Sequence, residues 1–310
     1  MNRYSRLIFL FIFGVSFSLR LEGEGLFFSV GKDLGGVLVN KFPLGSTWSK
    51  PESNVSVNFS PENIVKGTNQ IELLFFVTKQ GGNYVFQFED KKNNRVYDAR
   101  IDTQWIEDRE GRGGSFHMNW IAPIQEQQVF QFDEGEELRI KYSRSEDGKK
   151  LVRAETRKTA EGLKDGVKGL VVVELSFESE QGAEESPPWV GAENYEPKDL
   201  FEVGKAAKKY LREMARKNYS GMGDVCDVRW KWEAESYGVT VEDRIAVTKK
   251  TREMFRSFEV TGEVVSQVEQ FPLSPLIRVS GKQLSVVLDG EVLNLEMFLM
   301  KLNGKWKIIR

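Results

Sequence analysis

His117 is the only histidine in the chain and Cys226 the only cysteine, so chemistry that needs an imidazole or a thiolate must run through one of these two positions. His117 sits in REGRGGSFHMNW, with Ser115 two residues before it. A serine beside a histidine is the start of a nucleophilic site, but the ring then needs an acid to orient it, and no acid stands at a recognisable spacing. Metal binding asks for three or four clustered ligands, which one histidine and one remote cysteine do not supply. GMGDVCD, around Cys226, lacks the lysine and spacing of a phosphate loop and reads as a helix-to-strand turn. Cys226 itself reads as a small buried hydrophobe. The expectation is therefore no catalytic residue, no metal and no cofactor.

Recognition suits the same stretch better. In TQWIEDREGRGGSFHMNWIAP, Trp105 and Trp120 flank a charged, glycine-rich tip, as in a long hairpin projecting from a sheet. Aromatic and arginine side chains are enriched at interfaces because they bury much area with few rotors. Trp105, Arg109, Arg112, His117 and Trp120 are thus the candidate partner contacts. The plain alternative, two core indoles and an ordinary loop, stays open.

The elements that must position these residues follow from periodicity. Between about residues 37 and 177, short alternating runs such as QIELLFFVT, NYVFQFED, RVYDARID, ELRIKYS and GLVVVELSF are separated by QGGN, KKNN and SEDGKK. Such runs need a second sheet to cover their apolar faces, so residues 26–177 are expected to form an all-β sandwich. GGNYVFQFEDKKNNRVYDARI resembles a hairpin of an immunoglobulin-like or jelly-roll sandwich. Residues 178–197 carry six acidic and no basic side chains and are rich in glycine and proline, which predicts an extended, self-repelling linker.

Beyond it the period changes. Asp199 reads as an N-cap with Glu202 three residues on, and Leu200, Val203, Ala207, Tyr210, Leu211 and Met214 share one helical face. The opposite face carries Lys205, Lys208, Lys209, Arg212 and Arg216 and could meet an acidic or phosphate-bearing partner, although solvated charge is usual there. CDVRWKWEA alternates and reads as a strand with Cys226, Val228, Trp230, Trp232 and Ala234 inward. Thr240 with Asp243 forms a capping box before a helix whose inner face holds Val241, Ile245, Thr248 and Phe255. Strand-like stretches follow at 259–270, 276–288 and 292–302, with Val260, Val264, Val268, Leu284, Val286 and Leu288 inward. Asn303-Gly304 between two alternating runs is a strong hairpin signal and places Trp306 and Ile308 on the buried side.

This order of helix, strand region, helix and consecutive antiparallel strands ending in GKWKI resembles the nuclear-transport-factor-two-like superfamily, the cone-shaped α+β fold shared with ketosteroid isomerases and polyketide cyclases. The resemblance covers about residues 198–310. It implies a curved antiparallel sheet wrapped around the helices, and a pocket for which Tyr210, Trp230, Trp232 and Glu296 are the candidate lining. Its enzymes place an Asp or His inside the cone, where desolvation tunes proton abstraction. No carboxylate falls on the inward faces assigned above, and Glu296 is the one ambiguous acid.

At the N-terminus, Arg3 and Arg6 precede an apolar run at residues 7–19, with Ser16 and Ser18 spaced for peptidase recognition. An export signal at residues 1–18 is expected, and the run is short of the roughly 20 residues that span a bilayer. One cysteine cannot form an internal disulfide, which suits a bacterial periplasm better than other secreted settings. The net charge of −2 gives no global bias toward nucleic acid. The expectation is an exported, non-enzymatic binding or structural protein whose partners are envelope or appendage proteins, with a periplasmic enzyme or carrier of small apolar ligands as the alternative.

Overall fold

The computed structural model describes residues 25–30, 34–44, 53–59, 61–89, 95–107, 112–123, 125–144, 150–158, 163, 165–271, 273–281 and 284–310. The expected export signal, Arg109, and the turns KKNN and most of SEDGKK lie outside these residues. The described chain is mostly β, with several sheets and a C-terminal helical region. It divides into two compact units, one drawn from residues 20–63 and 68–179, the other containing residues 64–67 and 180–310.

In the first unit one sheet runs in the order Ser53–Asn58, Gly25–Val30, Gly82–Glu89, Arg95–Gln104, Gly113–Ala122 and Glu126–Asp133, each neighbour antiparallel. The other runs Lys150–Lys158, Glu136–Arg144, Val167–Ser179, Gly67–Thr78, Leu34–Val39 and Phe42–Pro43. Strict alternation sends one side chain in two inward on most strands, and the inward sets of both sheets meet. Phe75 packs on Tyr84 and Phe116 at 5.1 and 5.5 Å between ring centroids, Phe88 on Phe177 at 4.5 Å, and Trp120 edge-on to Tyr142 at 4.7 Å. The strand Glu126–Asp133, which has no strong apolar alternation, is held by full-length pairing with Gly113–Ala122.

In the second unit three helices stand against two small sheets. These are α1 (Leu200–Ala215), α2 (Tyr219–Tyr237) and α3 (Val241–Glu253). The expected curved sheet is broken into two. Phe258–Glu263, Leu284–Leu288 and Glu291–Asn294 form one sheet, and Gln267–Gln270, Ile277–Ser280, Met297–Leu302 and Lys305–Ile308 the other. Each of the three long strand-like stretches therefore bends from one sheet into the next. Single backbone bonds carry the chain across the bends, Ser266 N–H to Ser280 O at 3.2 Å and Leu295 N–H to Leu284 O at 2.8 Å. The closing hairpin is as expected, with Asn303 and Gly304 at φ 51° and 72° and Trp306 and Ile308 buried.

Two expectations are overturned here. CDVRWKWEA lies inside α2 and is not a strand. Met222, Val225, Cys226 and Trp230 form one buried helical face, while Trp232 is buried on another side against Trp189. A helix covered on two sides has apolar residues all round, and that mimics alternation. Asn218 caps its start by accepting the Gly221 N–H at 3.1 Å, and Gly238 ends it in the left-handed region at φ 63°.

The acidic segment is also no free linker. Ala183 bridges Val65, Glu185 N–H donates to Glu235, Trp189 is buried edge-on to Trp232, and Glu193 bridges Lys301 and accepts the Gly304 N–H at 2.7 Å. Tyr195 lies edge-on to Trp306 at 6.0 Å. The carboxylates bind ammonium and peptide N–H groups of this unit, and the aromatics bury, which together outweigh self-repulsion. Asp199 belongs to the same strap. It accepts the Glu196 N–H at 3.0 Å and the Lys301 ammonium at 3.1 Å, and makes no side-chain cap to α1. Leu200, expected on the buried face, is exposed.

Two measurements follow. Trp306→Ala should lower unfolding stability by about 3–5 kcal/mol in denaturant titration, the range for a large buried aromatic. Trp306→Phe should lose much less, because the indole N–H is buried without a hydrogen-bond partner. Limited proteolysis of the intact chain should spare the strap and cut it first in Trp189→Ala. Early wild-type cleavage at 183–197 would show that the segment is loose.

Candidate functional site

The register of the first sheet sets three polar residues in a row. Asn83 on Gly82–Glu89 faces Asp102 on Arg95–Gln104, which faces His117 on Gly113–Ala122. Directly opposed residues share one face of a sheet, with Cβ atoms about 4.5–5.5 Å apart. One step along, Gln104 faces Ser115. The turn before Gly82 folds beside this row, closed by Gly81 N–H to Thr78 O at 3.1 Å. Gly81 sits at φ 66°, and a Cβ there would strike the Thr103 carbonyl oxygen. The result is a cleft of about 310 Å³ lined by Gln80, Gly81, Gly82, Asn83, Asp102, Thr103, Gln104 and His117.

The cleft places an acid beside the histidine, which the local sequence did not reveal because the acid comes from the neighbouring strand. The hydrogen bonds still run the wrong way for a nucleophile. Ser115 Oγ donates to the Gln104 carbonyl at 3.2 Å and so accepts from His117 Nε2 at 3.1 Å. The serine is fully buried, and among the described residues no hydrogen bond joins Asp102 to the ring. An activated serine must give its proton to the imidazole and reach a substrate, and neither condition is met. His117 is thus fixed in place, with one ring nitrogen held by Ser115.

Of the expected partner contacts, Trp105 and Trp120 are corrected. Both are core indoles, Trp105 edge-on to Phe132 at 6.2 Å and Trp120 packed on Tyr97 and Tyr142. The two strands that flank the tip, Arg95–Gln104 and Gly113–Ala122, are interior strands of the sheet. A Cβ on Gly114 would run into the Trp105 ring, so this glycine exists to admit the indole. Arg112 is exposed, and His117 is half-buried in the cleft.

The expected pocket of the second unit is filled. Tyr210, Leu211, Cys226, Trp230, Leu284, Val286, Leu299 and Trp306 belong to one buried cluster, with Val260 and Val268 packed against it. Val264 is instead half exposed, since it lies in the bend between two strands. Trp232 faces the strap, and Glu296 is on the outside, paired with Arg278 at 3.4 Å. The buried carboxylate that strand parity missed is Glu233, because parity fails on a helix.

Glu233 lies between two guanidinium groups. Arg229 donates to it at 2.7 Å and Arg244 at 2.7 and 3.0 Å, and Arg244 stacks on Tyr237. Burial pushes its carboxyl up, but the two arginines outweigh this and hold it below the usual range. Burial pushes the Tyr210 hydroxyl and the Cys226 thiol up to about 12 each, so both stay protonated at neutral pH. A carboxylate this well neutralised is a weak base, and neither neighbour is a nucleophile.

The basic face of α1 is likewise committed. Lys208 and Arg212 pair with Glu263, Lys209 with Asp224, Lys205 with Glu202 and Arg216 with Glu213. Among the described residues no helix is long and apolar enough to cross a membrane.

Glu233→Gln leaves two buried guanidinium groups without a counter-charge and should cost about 3–5 kcal/mol. The wild-type contribution is fully present above the ordinary glutamate pKa and is lost as pH falls through the lowered folded-state value. Urea melts from neutral pH downward should therefore converge for the two proteins on the acid side. A constant gap would show that the loss is one of packing and not of charge.

Compared with models of known protein families and with curated proteins, the chain matches none, so its function has to be argued from these sites themselves.

Proposed function

We propose that this chain is an exported, non-catalytic binding or structural protein, a subunit or accessory factor of an extracytoplasmic assembly in the bacterial envelope or on an appendage such as a periplasmic flagellum. In this reading the two six-stranded sheets make an immunoglobulin-like or jelly-roll sandwich. The second unit is a cone of the nuclear-transport-factor-two-like kind whose two small sheets together form the wall.

The observation that carries the reading is the filled interior of the second unit. Where an enzyme of this shape would hold a desolvated acid in an open pocket, Tyr210, Cys226 and Trp230 are packed and Glu233 is spent between Arg229 and Arg244. The polar cleft at His117 supports recognition for the complementary reason, since its groups face outward and Ser115 has no nucleophilic geometry. A leader of the composition at residues 1–18 takes such a protein out of the cytoplasm.

The test is the size and composition of native complexes recovered from envelope extracts with a tagged chain. The expected outcome is a defined assembly with stable companions. A free monomer that turns over a small substrate, with turnover lost on Tyr210→Phe or Glu296→Gln, would replace this reading with the enzymatic one.

A further inference from the structure

We propose that the cleft at His117 binds a neutral, polyhydroxylated ligand of about one sugar ring, such as a unit of an envelope glycan. The inference rests on the reading of the chain as a non-catalytic binder and names what one of its surfaces recognises.

The size is the first constraint. A cleft of about 310 Å³ stands at the lower end of the roughly 300–1,000 Å³ spanned by small-molecule sites. The second is the lining, which holds side-chain amides, a carboxylate, an imidazole and glycine backbone, with no lysine, arginine, phenylalanine, tyrosine, tryptophan or aliphatic side chain. Among the described residues the side chains of Gln80, Asn83, Asp102 and Gln104 make no hydrogen bond within the protein, so all four are available to a ligand.

Donor and acceptor accounting then selects the class. Because Ser115 Oγ already donates to Gln104 O, it accepts from His117 Nε2–H, and Nδ1 is the ring nitrogen left for a ligand. Asp102 accepts twice, and each of the three amides offers both a donor group and an acceptor. An anion would meet the Asp102 carboxylate with like charge. A cation brings only donors and would leave three amide NH₂ groups without an acceptor. Hydroxyl groups donate and accept at every oxygen, so a ring of them satisfies both sets. Adjacent hydroxyls can share the Asp102 carboxylate, with Asn83 and His117 on either side of it in the same row. No aromatic platform stacks on the sugar face, so affinity rests on hydrogen bonds alone and should be modest.

The experiment is a titration of the isotope-labelled chain with glucose, galactose, mannose and N-acetylglucosamine, following backbone amide signals, with inorganic phosphate and ammonium chloride as contrasts. Saturable shifts of Gly81, Gly82, Asn83 and Gln104 with at least one neutral sugar are expected. Asp102→Ala should weaken that binding about tenfold or more, since it removes charge-assisted bonds. Asn83→Ala should also weaken it and serves as the second variant, each accepted only if its spectrum stays dispersed. Saturation by phosphate or ammonium alone, shifts unaffected by either variant, or no shift with any sugar would overturn the proposal. Native complexes recovered with the same variants separate the two readings, because a chain that binds none of these sugars yet keeps its companions overturns the glycan inference alone.

Discussion

The second unit depends on covering α2 from two sides. The helix carries Met222, Val225, Cys226 and Trp230 toward the main buried cluster and Trp232 away from it, and no single sheet can desolvate both. The acidic strap supplies the second cover through Trp189, and that explains why a segment with six carboxylates is bound down. Lys301 is the fastening point. Its ammonium meets Asp199 and Glu193 while its strand pairs with the one that carries Trp306. The hairpin, the strap and the helix therefore stabilise one another, and each alone would leave an apolar face in water.

Electrostatics divide the molecule differently. In the second unit the buried Glu233 lies between two arginines, and Lys208 and Lys209 of α1 pair with Glu263 and Asp224. Burying an ion without such partners costs several kcal/mol, so the internal pairs are a condition of folding more than a source of chemistry. The cleft at His117 shows the opposite pattern, with the Asp102 carboxylate and the side-chain amides converging on a concave surface and left uncommitted. Polar groups already satisfied by the protein do not select a ligand, whereas uncommitted ones in fixed register do.

The first sheet gives that register its rigidity. Asn83, Asp102 and His117 sit on interior strands, each paired on both sides, and beneath them Phe116, Met118 and Trp120 fill the core. Trp105 and Trp120 thus act on the cleft only through the backbone they anchor.

Much was legible in the amino-acid order alone: the alternating strands of the first unit, the capping box at Thr240, the Asn303-Gly304 turn with Trp306 inward, and the apolar face of α1 from Val203 to Met214. These are local signals, set by backbone sterics and by one amphipathic face meeting one neighbour. The helical state of CDVRWKWEA, the bound strap, the buried Glu233 and the row Asn83–Asp102–His117 were decided only in three dimensions. In each case the deciding partner lies far away in the chain or on another strand: Trp189 for Trp232, Lys301 for Asp199, Arg244 for Glu233 and Asp102 for His117. Periodicity reports whether a residue is covered but not by what, and a helix covered twice, or a polar row built across strands, takes its character from the covering partner.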